Sequence, residues 1–449
     1  MTSAVEQFAS NLNFGAFAKA EELKQRLWFT LGALIIYRVG TYVPLPGIDP
    51  RALQEIFQQK SGGMLDMFNM FSGGSLQRMA IFALGIMPYI SASIIMQLLT
   101  SMHPTLEAMK KEGEIGRKKL NQYTRYFTLV LAVIQAYGLS VGLEHMPGGH
   151  AGPAVIHPGI FFRITTVITI AGSTIFLMWL GEQVTARGVG NGQSLIIGTG
   201  ILAGIPRAVT NVLSLGQEGA ISLIVILGII AMVIGVVAFV IFMERAQRRV
   251  VVQYPKRMVG NRMSGGDSSH MPLKLNTSGV MGPIFASALL SLPTAIMGFS
   301  GIGKGSDFMD TVMGYLQFGR PVYMLLFGGL IVFFAFFYTA IQFNPDETAE
   351  NLRKSGGFVP GIRPGKATGD YLDYILTRIT VVGAAYLVFV CLLPQVLITR
   401  FNLPFYFGGT SLLIVVSVTM DTVAQIHSHL IAHQYEGLIK KAKLRGARK

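Results

Sequence analysis

One cysteine, Cys391, stands among 449 residues, inside an apolar run. No intrachain disulfide can form, and the thiol is silent on redox compartment. Charge is scarce too. Asp, Glu, Lys and Arg make up 13% of the chain, about half of the roughly 25% usual in soluble domains, which excludes an ordinary soluble fold. Met1 to Glu22 is polar, with no apolar stretch ahead of the first long hydrophobic run, so the pattern of a cleavable secretory signal is missing.

Catalytic equipment is missing as well. There is no GxSxG elbow, and the lone thiol lies in an apolar run, which leaves a hydrolase without a nucleophile. Gly298-x-x-x-x-Gly303-Lys304 starts like a phosphate-binding loop, but Gly305 stands where Ser or Thr is needed and no strand precedes it. His427, His429 and His433 have neither HExxH spacing nor a cysteine partner, which fits a solvated helix end better than a metal centre. Neither an enzyme nor a cofactor is expected.

What the chain has in abundance is hydrocarbon. Hydrophobic residues make up 51% and glycines number 52, and the mean hydropathy is +0.50. These are the marks of a polytopic membrane protein, in which small residues let helices approach closely. Apolar runs long enough to cross a hydrocarbon core of about 30 Å lie near Lys24–Val43, Met79–Leu99, Tyr123–Leu143, Ile160–Gly181 and Ser194–Leu213. Five more follow near Ala220–Met243, Ser278–Gly298, Pro321–Phe343, Ile375–Ile398 and Phe405–Ile426. With ten spans in alternating direction, 28 of the 37 lysines and arginines fall on one side and eight on the other, with Arg38 inside the first run. The positive-inside rule makes the richer side, which carries both termini, cytoplasmic.

Two loops on the basic side are longer than topology requires. Glu244–Thr277 has a β-branched centre, Val250-Val251-Val252, flanked by turn residues, and predicts a hairpin. Asn344–Thr377 has a Pro/Gly-rich tip, FVPGIRPGKATG, that presents Arg363 and Lys366. Topology alone explains the charge. Loops of this length are usually functional or disordered, and a cytosolic docking surface, for which phosphate-rich RNA is one suitable partner, explains both. The segment Gly62–Gly74 is short, rich in Met and Phe, and bounded by paired glycines. It reads either as an interfacial loop or as a stopper sheltered in a cavity, since non-helical backbone at membrane depth needs protein or a cavity around it.

Ionisable residues inside spans are functional candidates by default. Arg38, Asp421 and Glu182 all lie near the ends of their runs, where snorkelling suffices. The middles carry isoleucine instead. Ile86 and Ile90, four apart, share one helical face, and Ile197, Ile284 and Ile414 fall near the middles of later runs. Such residues either pack and face lipid or line a pore. A solute carrier built from inverted repeats would place polar groups at broken helices near the midplane, which this lining lacks.

Several stretches carry a resemblance. FNMFSGG (68–74), ALGIMPYISASIIMQLL (83–99), HPTLEAMKKEGEIGR (103–117), NQYTRY (121–126), LGEQVTARGVGNG (180–192), FNPDETAENLRKSGGFVPGIRPG (343–365) and PFYFGGTSLLIVV (404–416) resemble the SecY/Sec61-alpha family of protein-translocase channels. The likeness runs from about Leu23 to Arg445 and weakens around His145–His157 and Phe299–Asp310. It implies an all-α membrane protein with ten transmembrane helices. They form two pseudo-symmetric five-helix halves, residues 24–219 and 220–427, around an hourglass pore with a plug. A tail, 1–23, precedes the halves and a basic tail, 428–449, follows them.

The resemblance also assigns residues and partners. Met64, Leu65, Met67, Phe68, Asn69, Met70 and Phe71 match the plug. Ile86, Ile90, Ile197, Ile284 and Ile414 match an apolar constriction ring, which gates by dewetting. Gln193 stands at the sixth ring position, where the family has an apolar residue. Ser91, Gln135 and Asn276 match the polar cluster of a lateral gate. Arg257, Arg262, Arg353, Lys354 and Arg363 match the surface that docks the ribosome, with its RNA, and the SecA ATPase. In the seventh run Val280-Met281-Gly282-Pro283 moves the family's proline by one position. Implied partners are SecE and SecG, signal peptides and nascent chains, membrane lipid, SecDF and YidC, and the implied location is the bacterial plasma (inner) membrane.

Overall fold

The structure is a computed structural model. It describes residues 21–49, 52–53, 69, 71–144, 153–217, 222–254, 257–259, 262–264, 268–300, 314–315, 319–401 and 409–446. Its helices are α1 Glu21–Gly40, α2 Met87–Met102, α3 Pro104–Lys111, α4 Glu114–Glu144, α5 Ile160–Arg187, α6 Gly192–Leu202, α7 Ile205–Gln217 and α8 Leu223–Arg245. Four short strands follow: β1 Gln247–Gln253, β2 Arg257–Val259, β3 Arg262–Ser264 and β4 Ser268–Lys274. After them come α9 Met281–Ser300, α10 Pro321–Gln342, α11 Pro345–Lys354, α12 Lys366–Phe401 and α13 Gly409–Gly446. Among the described residues, six helical segments are long and apolar enough to cross a membrane: 114–144, 160–187, 224–245, 321–354, 366–396 and 409–432.

Contacts group the chain into two units, each assembled from separated stretches: Met1–Tyr89 with Phe127–Gly204 and Val418–Lys449, and Ile90–Tyr126 with Ile205–Ser417. In the first unit α5 and α6 pack through a glycine pair. A Cβ on Gly192 would overlap the Gly181 carbonyl, so backbone meets backbone there. Asn191 caps α6, its side chain accepting from Gln193 N at 3.1 Å and Ser194 N at 3.4 Å. Thr30 Oγ1 of α1 accepts from Val189 N at 3.0 Å, and Gln425 Oε1 of α13 accepts from Gly190 N at 2.8 Å. The turn between α5 and α6 is thus held by two distant helices. A run of rings, Tyr37, Phe82, Phe176 and Trp179, with centroids 5.9–6.2 Å apart, fills the space beside α5.

Two expected spans are built differently from their hydropathy. The run from Met79 is helical only from Met87, and residues 72–86 form successive turns. Gly73, Gly74 and Gly85 have φ of 68°, 81° and 55°, a left-handed backbone that ends any helix and suits glycine. Ile86 therefore precedes α2, and the shared helical face expected for Ile86 and Ile90 is corrected to a turn residue followed by a first-turn helical residue. The run Ser194–Leu213 is broken between α6 and α7. Pro206, at the second position of α7, lacks the N–H that would continue the helix.

In the second unit α9, α10 and α12 pack side by side. Phe285 meets Phe334 edge-on at 5.7 Å, and Gly328 admits Leu392 and Val388 of α12. The expected hairpin is present. β1 pairs antiparallel with β4, Val250 opposite Met271 and Val252 opposite Ser269, and β2 pairs with β3. Val250 and Val252 are buried while Val251 is exposed, the period-2 alternation of a one-sided ribbon. Val250 of that face and Leu273 of β4 sit on Val359, Leu372, Ile375, Leu376 and Ile379, which joins the two long basic loops into one body. Gln253 and Phe358 seal the joint, each N–H donating to the other's carbonyl at 2.9 Å.

Candidate functional site

Of the residues matched to the plug, Met64, Leu65, Met67, Phe68 and Met70 lie outside the described residues, whereas Asn69 and Phe71 lie within them. Asn69 organises the turn that follows. Its Oδ1 accepts from Gln77 N at 2.9 Å, and its carbonyl accepts from Gly74 N at 2.7 Å and from Ser72 Oγ at 3.1 Å. Phe71 is buried. The Gly73 carbonyl takes two guanidinium donors, Arg38 Nη1 at 2.9 Å and Arg78 Nη2 at 3.1 Å. Both cations also lie against the Tyr42 ring, 4.9 and 4.0 Å from its centroid, and Arg38 Nη2 donates to the Tyr42 hydroxyl at 3.0 Å. Gly73 itself is pressed against Gly200 of α6, whose Cα would lie 3.1 Å from a Cβ added there.

The residues matched to the ring divide equally between the units. Ile86, Gln193 and Ile197 belong to the first, and Ile90, Ile284 and Ile414 to the second. All five isoleucines are buried, none more than 7% exposed. Ile197 lies three residues before Gly200, one helical turn away from the Gly73 contact. Gln193 is half-buried, with its Cγ against Gly181 of α5.

The polar trio also divides. Gln135, half-buried on α4, belongs to the first unit, while the buried Ser91 on α2 and Asn276 belong to the second. Asn276 lies between β4 and α9. Its Nδ2 donates to Glu244 Oε1 at 2.7 Å and to the Gly279 carbonyl at 3.1 Å, and its Oδ1 accepts from Ser278 Oγ at 3.0 Å. The spacing gave no sign of Glu244 as its partner, because 32 residues of hairpin separate the two.

On the second unit's hairpin body, Arg257 and Arg262 occupy opposite strands, Arg257 across from Ser264 and Arg262 across from Val259. Arg353, Lys354 and Arg363 are exposed. Arg353 closes α11, whose start is capped by the Asn344 side chain, and it stands 3.7 Å from Glu350. The Arg363 carbonyl accepts from Thr368 Oγ1 at 2.9 Å, fixing the loop tip to the first turn of α12. Arg248 and Arg249 of β1 are exposed as well, so the body carries cations from both loops. Among the described residues no group of three His, Cys, Asp or Glu side chains could hold a metal ion.

The SecY family model matches residues 80–423. The chain is 52% identical over 425 residues to the protein translocase subunit SecY of Escherichia coli K12, covering 95% of this chain and 96% of that one. It is also 52% identical over 424 residues to the protein translocase subunit SecY of Rickettsia conorii, covering 94% and 97%. A solved protein-conducting channel superposes with a TM-score of 0.64 at 19% identity, over 91% of this chain and 92% of that one. Sec61 in the canine ribosome–channel complex superposes with a TM-score of 0.61 at 18% identity, over the same shares. At those identities the structural likeness speaks for the fold alone.

Proposed function

The chain belongs to the SecY family, and from that premise we propose that it is the central channel subunit of a Sec translocon. It conducts unfolded secretory proteins across the plasma membrane and releases transmembrane segments into lipid through a lateral gate. The observation that carries this reading is 52% identity along 95% of the chain to a protein translocase subunit. The buried isoleucines support it, since an apolar constriction gates by dewetting and yields around a passing chain without binding it. An inverted-repeat carrier is disfavoured, because it needs polar lining near the midplane.

In this reading ten helices form two five-helix halves around an hourglass pore, with Met64–Phe71 as the plug. Ile86, Ile90, Gln193, Ile197, Ile284 and Ile414 form the ring, and Ser91, Gln135 and Asn276 lie at the gate. The protein is multi-pass in the inner membrane with both termini cytoplasmic, and it supplies a path instead of a reaction. SecE and SecG complete the complex, SecA or the translating ribosome drives it, and SecDF and YidC assist. The cations of the hairpin body, Arg257, Arg262, Arg353, Lys354 and Arg363, receive the cytosolic partner, ribosomal RNA included.

The deciding experiment places a photo-crosslinker at Ile90 and stalls a secretory chain in transit. A crosslink to that chain is expected. Its absence, with lipid-facing control positions behaving normally, would mean that the isoleucines merely pack, and would reopen the carrier reading.

A further inference from the structure

The hairpin that carries the docking cations leaves α8 and returns to α9, and its base is closed twice. Leu275 N donates to the Ala246 carbonyl at 3.0 Å, one step beyond the Gln247–Lys274 pair that ends the β1–β4 ladder. Next to it, Asn276 Nδ2 donates to Glu244 Oε1 at 2.7 Å, joining the last turn of α8 to the approach of α9. The same amide nitrogen reaches the Gly279 carbonyl, and the amide oxygen takes Ser278 Oγ. Asn276 is thus spanned between Glu244 and the segment that starts α9, and it is only 5% exposed.

The surroundings make this joint stiff. Gly279 holds φ +58°, a conformation that side chains disfavour. Gly383 of α12 presses on the Leu275 carbonyl, which a Cβ there would meet at 2.6 Å. A carboxylate acceptor makes a shorter and stronger bond to an amide than a neutral oxygen does, and shielding from water strengthens it further. Displacement of the hairpin therefore reaches the first turn of α9 through a directional bond.

We propose that Glu244 is a positioning residue of the channel: acting through Asn276, it ties the base of the cytosolic hairpin to the start of α9, so that loading the hairpin moves that helix. This rests on the reading of the hairpin as a docking surface and of Asn276 as a gate residue. Glu244 needs only its acceptor oxygen for the task, so Glu244→Gln preserves the joint and Glu244→Ala breaks it.

The test uses the full complex in planar bilayers, with ribosomes added on the cytosolic face. It reads ribosome binding by flotation and the docking-induced change in ion conductance. Glu244→Ala and Asn276→Ala are each expected to bind ribosomes as wild type does while the conductance response falls at least fivefold, a loss of about 1 kcal/mol in coupling. Glu244→Gln is expected to restore the response, and the double Ala variant to be no worse than either single one, the signature of one shared interaction. A normal response in Glu244→Ala beside a lost one in Asn276→Ala overturns the proposal and leaves the gate reading standing. Failure of Glu244→Gln to restore the response, with the complex assembled, also overturns it, because charge and not the bond would then matter. A wild-type channel that binds ribosomes without responding overturns the proposal alone, whereas one that does not bind them removes the docking reading on which it rests.

Discussion

Arg38 and Arg78, one on α1 and one in the turns before α2, donate to the same carbonyl, that of Gly73, and lie against the same ring, Tyr42. Two like charges share an acceptor because the carbonyl dipole and the ring face both offset their repulsion. Gly73 is thereby held at the C-terminal end of α1, directly after the segment matched to the plug.

Replacing either arginine by Gln is expected to destabilise the first unit by about 1.5–3 kcal/mol, the range of one charge-assisted hydrogen bond. The double variant should lose more than the sum, since in each single variant the remaining guanidinium relaxes toward the vacated acceptor and masks part of the loss. Thermal unfolding of the purified protein, followed by tryptophan fluorescence, measures both, because the chain's two tryptophans, Trp28 and Trp179, belong to the first unit.

Arg163 of α5 and Glu144 at the end of α4 form a forked pair, Nε and Nη2 donating to Oε2 at 2.9 and 2.6 Å, while Gly159 N donates to Oε1 at 3.0 Å. The Glu144 side chain is 6% exposed. Arg163→Leu leaves a shielded carboxylate without its cation, and a lower unfolding midpoint is expected. Arg163→Lys should recover part of the drop. Equal unfolding midpoints for wild type and the Leu variant would refute the pairing as a structural clip.

Gln193, a half-buried amide on α6, is the one polar residue among the six matched to the ring. Gln193→Ile is expected to lower the substrate-free ion leak severalfold, the factor that about 1 kcal/mol of unfavourable hydration corresponds to. Single-channel recording checks it. An unchanged leak would assign the side chain to the Gly181 contact on α5 instead of the pore.

Arg363 is exposed at a loop tip fastened by Thr368. Arg363→Glu is expected to slow ATP-driven transport about tenfold or more by setting like charge against the partner, while the amount of inserted protein stays at wild-type level. Normal transport would remove Arg363 from the docking surface.

Hydropathy and local pattern made much of this legible beforehand. The apolar runs gave the membrane class, and Val250-Val251-Val252 between turn residues gave the hairpin, because period-2 burial is written into consecutive positions. Hydropathy misread Met79–Leu99 and Ser194–Leu213 as single helices. Apolarity does not distinguish turns from helix, and there the left-handed glycines and Pro206 decided.

By itself, then, the sequence determined what depends on neighbours along the chain: which stretches prefer hydrocarbon, which loops carry cations, where a ribbon alternates, and which family the motifs belong to. The tertiary structure alone decided which distant groups meet. Arg38 reaches the Gly73 carbonyl across 35 residues and Asn276 reaches Glu244 across 32. A shielded polar group takes whichever partner the packed helices bring within about 3 Å, and no local periodicity encodes that choice.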